Sequence, residues 1–217
     1  MAIRVFLADD HGVVRDGLRL LLEAQEDITV VGDAADGREA VRQVQELGPD
    51  VVVMDIAMPE LNGIEATYQL REMCPAIQIV ILSIHSATEH ILRALRAGAR
   101  GYLLKESAGT EVVEAVRAVH AGRRYLSQRI SDTVIDGYLR QDPGDRVRSP
   151  LESLSPRERE VLQLVVEGKT SAEIGKILFL SPKTVETYRS RLMQKLGING
   201  LPGLVKFALQ HGLIPLE

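Results

Sequence analysis

Five residues in this chain are of types that could act together on a charged group, and each falls at the end of a short apolar run. Asp9 and Asp10 follow Ile3–Ala8, Asp55 ends Val51–Asp55, Ser83 ends Gln78–Ser83, and Lys105 follows Gly101–Leu104. Carboxylates gathered within a few ångströms repel one another, by roughly 4 kcal/mol for a pair about 4 Å apart near a surface. Such a cluster must hold a cation or take up protons. An all-oxygen set with open positions suits Mg²⁺, which keeps several waters and takes phosphate oxygens as its remaining ligands. A lysine beside it supplies a point charge to the same phosphate, and a serine adds a hydroxyl donor. Singly, Asp9 and Asp10 read as loop acids capping a helix, Asp55 as solvated and Lys105 as a surface lysine. The coincidence of five such residues at run ends argues for a site.

Those run ends meet only if the runs are strands of one sheet. Strand-like segments at Ile3–Ala8, Ile28–Ala34, Val51–Asp55, Gln78–Ser83 and Gly101–Leu104 alternate with helical periodicity. Val14, Leu18, Leu21 and Leu22 share one helical face; Val112, Val113, Val116 and Val119 share another. Val51-Val52-Val53-Met54 is apolar throughout, as expected of a strand covered on both sides in a parallel sheet. The fold class is therefore an α/β, doubly wound, five-stranded parallel sheet over residues 1–125, of flavodoxin-like type. In the order 2-1-3-4-5 strands 1 and 3 are neighbours, and ligands bind beyond the carboxyl ends of the strands.

Composition bounds what else the chain can be. It has 217 residues, 45% apolar and 26% charged, enough for two small globular domains. No Trp, three Phe and five Tyr make a base- or sugar-stacking protein improbable. Cys74 is the only cysteine, which excludes an internal disulfide, a Cys-rich zinc site and an iron–sulfur cluster. No apolar run reaches the roughly 18 residues of a spanning helix, and the first residues turn straight into a strand pattern rather than a signal peptide. A cytoplasmic protein is expected. The net charge of −4 is unevenly spread: residues 1–125 carry 13 basic against 19 acidic side chains, and 126–217 carry 13 against 11. Within 181–195, Lys183, Arg189, Arg191 and Lys195 face Glu186 alone. One module suited to cations and another to a polyanion would have this balance.

After residue 125 a helix-prone segment, Gln128–Arg140, leads into a polar stretch with two prolines and a glycine, so 126–150 reads as a helix-containing linker. From 151 to 217 the strand signal disappears. Ser155-Pro156 with Glu158, and Thr170 with Glu173, are capping boxes; Ser181-Pro182 opens a third helix; Gly168 and Gly197 stand where helices stop. The short connection at 178–181 makes a helix-turn-helix within a small all-α domain of four helices. On the third helix Val185, Tyr188, Leu192 and Leu196 form the inward stripe, and Lys183, Thr187, Ser190 and Gln194 the outward one. Alone it reads as a solvated amphipathic helix; following two capped helices and a tight turn, it fits a major groove. Together with a family resemblance carried by the chain's motifs, this makes Glu186, Thr187 and Ser190 candidate base contacts, with Lys183, Thr184, Arg189 and Arg191 as DNA-binding neighbours, the basic ones on phosphates. Glu186, close to phosphates, requires a cytosine amino group or a basic partner. One such domain reads too few bases alone, so a homodimer on paired half-sites is expected, through the first or fifth helix or Leu201–Gln210.

The sequence resembles two-component response regulators of the NarL/FixJ class with a LuxR-type helix-turn-helix. The resemblance is carried by Ala8-Asp9-Asp10-His11, Asp55-Ile56-Ala57-Met58-Pro59 with Asn62-Gly63, Ser83, and Gly101-Tyr102-Leu103-Leu104-Lys105. It continues in Leu154-Ser155-Pro156-Arg157-Glu158, Glu167-Gly168-Lys169-Thr170 and Leu180-Ser181-Pro182-Lys183-Thr184-Val185-Glu186-Thr187-Tyr188. It implies that 1–125 is a receiver domain with Asp55 as phosphoacceptor. Mg²⁺ would be held by Asp9, Asp10, Asp55 and the backbone carbonyl of Ala57. Lys105 would contact the phosphoryl oxygens, and Ser83 and Tyr102 would switch with the phosphoryl group. It also implies a sensor histidine kinase and double-stranded promoter DNA as partners, and no enzyme activity apart from Mg²⁺-dependent transfer of phosphate to Asp55. Glu106 after the lysine, Ile84 and His85 depart from the commonest receiver pattern; Ile84 would hinder access to the acyl phosphate. Two alternatives compete. A Mg²⁺-dependent aspartyl-phosphate hydrolase would want an Asp-x-Asp pair and a cap domain. A DNA-binding protein with a vestigial receiver would work by constitutive dimerisation or protein contacts, and the intact five-residue set argues against it.

Overall fold

The computed structural model describes residues 2–140 and 150–214, with side chains for 2–134 and 150–214. The linker expected over 126–150 thus lies outside the described residues at 141–149. The chain divides into two compact units, Met1–Asp145 and Arg146–Glu217.

In the first unit, strands and helices alternate: β1 (Ile3–Ala8), α1 (Gly12–Glu23), β2 (Ile28–Ala34), α2 (Gly37–Leu47), β3 (Val51–Asp55) and α3 (Gly63–Met73). Then come β4 (Gln78–Ser83), α4 (Thr88–Ala97), β5 (Gly101–Leu104), α5 (Ala108–His120), β6 (Tyr125–Leu126) and α6 (Gln128–Arg140). All strand pairs are parallel, in the order β2-β1-β3-β4-β5-β6. Side chains alternate faces along each strand, so the sheet has two cores. Phe6, Val52, Met54, Ile79 and Ile81 pack toward α2, α3 and α4, and Val5, Leu7, Val51, Val53 and Val80 toward α1 and α5. Each fully buried Val, Leu or Ile contributes about 1.5–3 kcal/mol. These layers hold the carboxyl ends of β1, β3, β4 and β5 at one edge.

The sheet has six strands where five were expected. Two residues cannot display an alternation, so Tyr125-Leu126 left no periodic trace. The strand forms because the chain turns after α5, with Gly122 at φ 76°, and Tyr125 N–H donates to the Arg100 carbonyl at 3.0 Å. Helix α6 then packs against α4 within the same unit: Ile130 is fully buried in the core shared with Ile91 and Ala94 of α4, flanked by Leu126 and Val134. On α1, Leu18 and Leu22 are buried, whereas Leu21 is exposed at the margin of that face.

The second unit holds a short 3-10 turn (Pro150–Ser153) and four α-helices: α7 (Pro156–Val166), α8 (Ser171–Leu178), α9 (Pro182–Leu196) and α10 (Leu201–Gln210). Both capping boxes form, Ser155 with Glu158 and Thr170 with Glu173, satisfying backbone donors that a helix start leaves open. Val161, Leu162, Leu164, Ile174, Leu178, Val185, Leu192 and Leu204 make the core. The turn between α8 and α9 is tight: Leu180 N–H donates to the Gly175 carbonyl at 2.8 Å, and a Cβ on Gly175 would stand 2.6 Å from the Leu180 carbonyl oxygen. Among the described residues no helix is long and apolar enough to cross a membrane.

Candidate functional site

At the carboxyl edge of the first unit's sheet, β1 delivers Asp9 and Asp10, β3 delivers Asp55, and the residue after β5 is Lys105. Asp9 and Asp55 are buried, and Asp10 is half-buried. Oxygens of the three carboxylates and a ring nitrogen of His11 all lie within 4.8 Å of one another. Lys105 Nζ is 2.8 Å from Asp9 Oδ2 and 2.8 Å from Asp55 Oδ2, an ion pair with each. Burial pushes the Asp55 carboxyl up to about 6, and the Asp9 charge adds to the shift while Lys105 opposes it. Burial works against the Lys105 ammonium, but Asp55 and then Asp9 outweigh it and raise its pKa.

The surrounding loops hold Asp55 in place. Asn62 caps α3 by accepting from Ile64 N–H and Glu65 N–H, both at 3.1 Å, and Gly63 N–H donates to the Ile56 carbonyl at 2.9 Å. A Cβ on Gly63 would stand 1.9 Å from the Asp55 carbonyl oxygen, so only glycine lets α3 begin there. Ala57 is buried in the loop leaving β3. Ser83, also buried, accepts from His85 N–H at 3.0 Å, and Tyr102 donates its hydroxyl to the His85 carbonyl at 2.8 Å. Burial raises Tyr102 to about 12 and lowers His85. Ile84, in contrast, is exposed.

In the second unit, α9 turns Val185 and Leu192 fully inward, with Tyr188 and Leu196 half-buried, and exposes Lys183, Glu186, Thr187, Ser190, Arg191 and Gln194. Thr184 is half-buried, its hydroxyl 2.8 Å from that of Ser181, the cap of α9. Glu186 accepts a hydrogen bond from Ser171, at the start of α8, while Arg189 lies 3.3 Å from the Ser171 hydroxyl and 3.4 Å from Glu186. Lys195 Nζ donates to Glu158 Oε2 at 2.7 Å, tying the end of α9 to the capping box of α7.

A family model described as "Response regulator receiver domain" matches residues 5–117, and "Bacterial regulatory proteins, luxR family" matches 152–208. The chain belongs to the response-regulator family. It is 38% identical to the oxygen regulatory protein NreC of Staphylococcus epidermidis over 98% of this chain and 99% of that protein. It is 39% identical to the response regulator UvrY of Escherichia coli K12, over 99% and 97%. Two solved structures resemble it across 97% of this chain and 99% of theirs at 27% identity. One is a complex of the response regulator RcsB with DNA (TM-score 0.60), and the other is two RcsB dimers bound to two parallel DNAs (TM-score 0.62).

The fold of this response regulator thus gathers Asp9, Asp10, Asp55 and Lys105 at one point, with Ser83 and Tyr102 joined through His85. Three features escape a reading of the sequence. His11 reads there as a loop or helix-start residue; it does precede α1, but its ring also contacts Asp10 Oδ1 at 2.6 Å and Asp9 Oδ1 at 3.2 Å. Its adjacency to the acid pair is the available signal. Arg15, one turn into α1, donates to the Asp9 carbonyl at 2.5 Å and to Asp33 at 3.0 Å, braced from a strand 18 residues away. The Glu158–Lys195 pair spans 37 residues, and no spacing rule reaches that far.

Proposed function

We propose that this response regulator accepts a phosphoryl group on Asp55 from a sensor histidine kinase, and that the modification controls binding of its helix-turn-helix to promoter DNA in the cytoplasm. The observation that carries this is the charge arrangement around Asp55. Asp9 Oδ2 and Asp10 Oδ1 are buried, the first meeting Lys105 Nζ at 2.8 Å and the second the His11 ring at 2.6 Å, and three carboxylates facing one ammonium are an oxygen set with lone pairs left for a hard cation. Asp9, Asp10, Asp55 and the Ala57 carbonyl are the proposed holders of Mg²⁺. When bound, Mg²⁺ would neutralise charge on the phosphoryl oxygens. The chain's own groups do the rest. A carboxylate oxygen of Asp55 forms the new bond to phosphorus as the donor's P–N bond breaks and its imidazole keeps the electron pair. Lys105, already fixed 2.8 Å from Asp55, stands where the phosphoryl oxygens arrive. Ser83 and Tyr102, both tied to His85, supply the elements that reorganise. Beyond this self-phosphorylation no catalysis is proposed.

On α9, Thr187 and Ser190 are the proposed base contacts, with Lys183 and Arg191 on phosphates and Thr184 at the groove edge. The basic partner that Glu186 required is Arg189 within the unit, and both bond to Ser171. Glu186 and Arg189 therefore brace α9 against α8 in this reading, and DNA contacts by either are secondary. For the homodimer, α1 is the favoured face. Val13 is 88% and Leu20 73% exposed, Leu21 is exposed beside them, and Gly17 lies between. A dimer on DNA, as with RcsB, supplies the paired recognition that one domain lacks.

Intact mass after incubation with acetyl phosphate, with and without Mg²⁺, tests the phosphoacceptor. One Mg²⁺-dependent phosphoryl group on wild type and none on Asp55→Asn is expected. Full labelling of the variant would remove Asp55 from the role.

A further inference from the structure

Phe179 is 94% exposed and holds a left-handed backbone conformation, φ 55° and ψ 45°, as the residue that ends α8. Both features are unfavourable for the folded unit. A residue with a Cβ is strained there, and glycine or asparagine is the usual occupant of this helix-ending position. A fully solvated ring adds no burial in return. The backbone needs the conformation, because it brings Leu180 N–H onto the Gly175 carbonyl at 2.8 Å and so closes the turn. Among the described residues the side chain is almost wholly left to solvent.

What surrounds it points outward to a polyanion. The stretch from Ile174 to Val185 contains no acid, and Phe179 sits between Lys176, in the last turn of α8, and Lys183, in the first turn of α9. Ser181, Pro182 and Lys183 after it are exposed and lead into the polar face of α9. An apolar group amid lysines, continuous with a DNA-reading face, matches a surface that is charged at its phosphates and apolar at its deoxyriboses and thymine methyls.

We propose that Phe179 is a DNA contact, packing its ring on the apolar wall of the groove beside the start of α9. This rests on the reading of α9 as the DNA-reading helix. Because the contact is apolar and releases no counterions, it adds affinity without adding to the salt dependence. Lys183, on phosphate, does the reverse.

The test uses the full chain treated with acetyl phosphate and Mg²⁺, and duplexes of about 30 base pairs recovered by the wild type from a random pool, long enough for two half-sites. Affinity is measured at several salt concentrations for wild type, Phe179→Gly, Phe179→Leu and Lys183→Ala, alongside thermal midpoints. Phe179→Gly is expected to bind roughly fivefold more weakly at every salt concentration, with an unchanged salt slope and a thermal midpoint unchanged or raised. Phe179→Leu is expected to keep most of the affinity, and Lys183→Ala to flatten the slope by about 1. Wild-type affinity in Phe179→Gly would overturn the inference and leave the ring to a protein partner. Weaker binding with a lowered thermal midpoint in both Phe179 variants would overturn it by making the residue structural. A wild type that recovers no duplex would instead remove the DNA reading itself.

Discussion

Asp55 sits in surroundings that oppose its charge, and that has a measurable consequence. Its carboxyl keeps a proton up to about pH 6 in the folded protein, chiefly through burial, whereas an unfolded chain releases it near its ordinary 3.8. Between those values the native state binds more protons than the unfolded one, so stability falls as pH rises. At neutral pH the metal-free receiver should therefore carry a deficit of about 2–3 kcal/mol. Asp55→Asn removes the buried charge, and its thermal midpoint without Mg²⁺ should exceed that of wild type by a margin that grows from about pH 4 to about pH 7. A constant margin across that range would contradict burial of the charge as the cause. Gly63 offers a steric counterpart. Gly63→Ala must push the Asp55 carbonyl away from a methyl placed 1.9 Å from it, at about 1–3 kcal/mol. Both a lowered thermal midpoint and slower phosphoryl uptake are expected, and normal uptake would show that the loop adapts without moving the acceptor.

At the level of elements, α9 is held at its middle and at its carboxyl end by basic groups that a charge count would assign to DNA. Arg189 meets Ser171 and Glu186 near its middle, and Lys195 meets the nearly buried Glu158 at its end. Burial works against the charge on Glu158, but the hydrogen bonds from Lys195 and Ser155 outweigh it and hold its pKa below the usual carboxylate range. Lys195→Ala leaves that carboxylate without its cation, so the second unit should lose about 1–3 kcal/mol. Thermal or urea unfolding of the variant checks this, and its effect on DNA affinity should be no larger than its effect on folding. A large loss of affinity with full stability would add Lys195 to the phosphate-contacting set. Among the basic residues of α9, that leaves Lys183 and Arg191 as the exposed cations for DNA.

For the whole molecule, the apolar patch on α1 sets the expectation. Singly exposed apolar residues are common on protein surfaces, but a contiguous group marks an interaction site. Val13, Leu20 and Leu21 form such a group around Gly17, a position with no side chain to hold two helices apart. Leu20→Glu places like charges face to face if two copies meet there. Sedimentation of the phosphorylated protein should show wild type as a dimer and the variant as a monomer. DNA affinity for paired half-sites should fall at least tenfold with it. A dimer that survives the substitution moves the interface elsewhere, with α10, where Leu201 is exposed, an alternative face.

How much of this was legible beforehand depends on the range of the interactions. The strand runs, the two capping boxes, the helix-stopping glycines and the inward stripe of α9 all depend on neighbours within a turn or along one strand. The sequence determined them because period and capping chemistry are local. It also placed Asp9, Asp10, Asp55, Ser83 and Lys105 at strand ends, and the parallel order then brought those ends together. Tertiary structure alone decided the rest. The two-residue β6 exists only because Arg100 offers its carbonyl, and Ile130 is buried only because α4 lies against it. Glu186, although exposed, and Arg189 bond to Ser171 because α8 packs beside α9 there. Asp55 is pushed toward neutrality by burial, which is a property of the surrounding layers and not of any residue beside it in the chain.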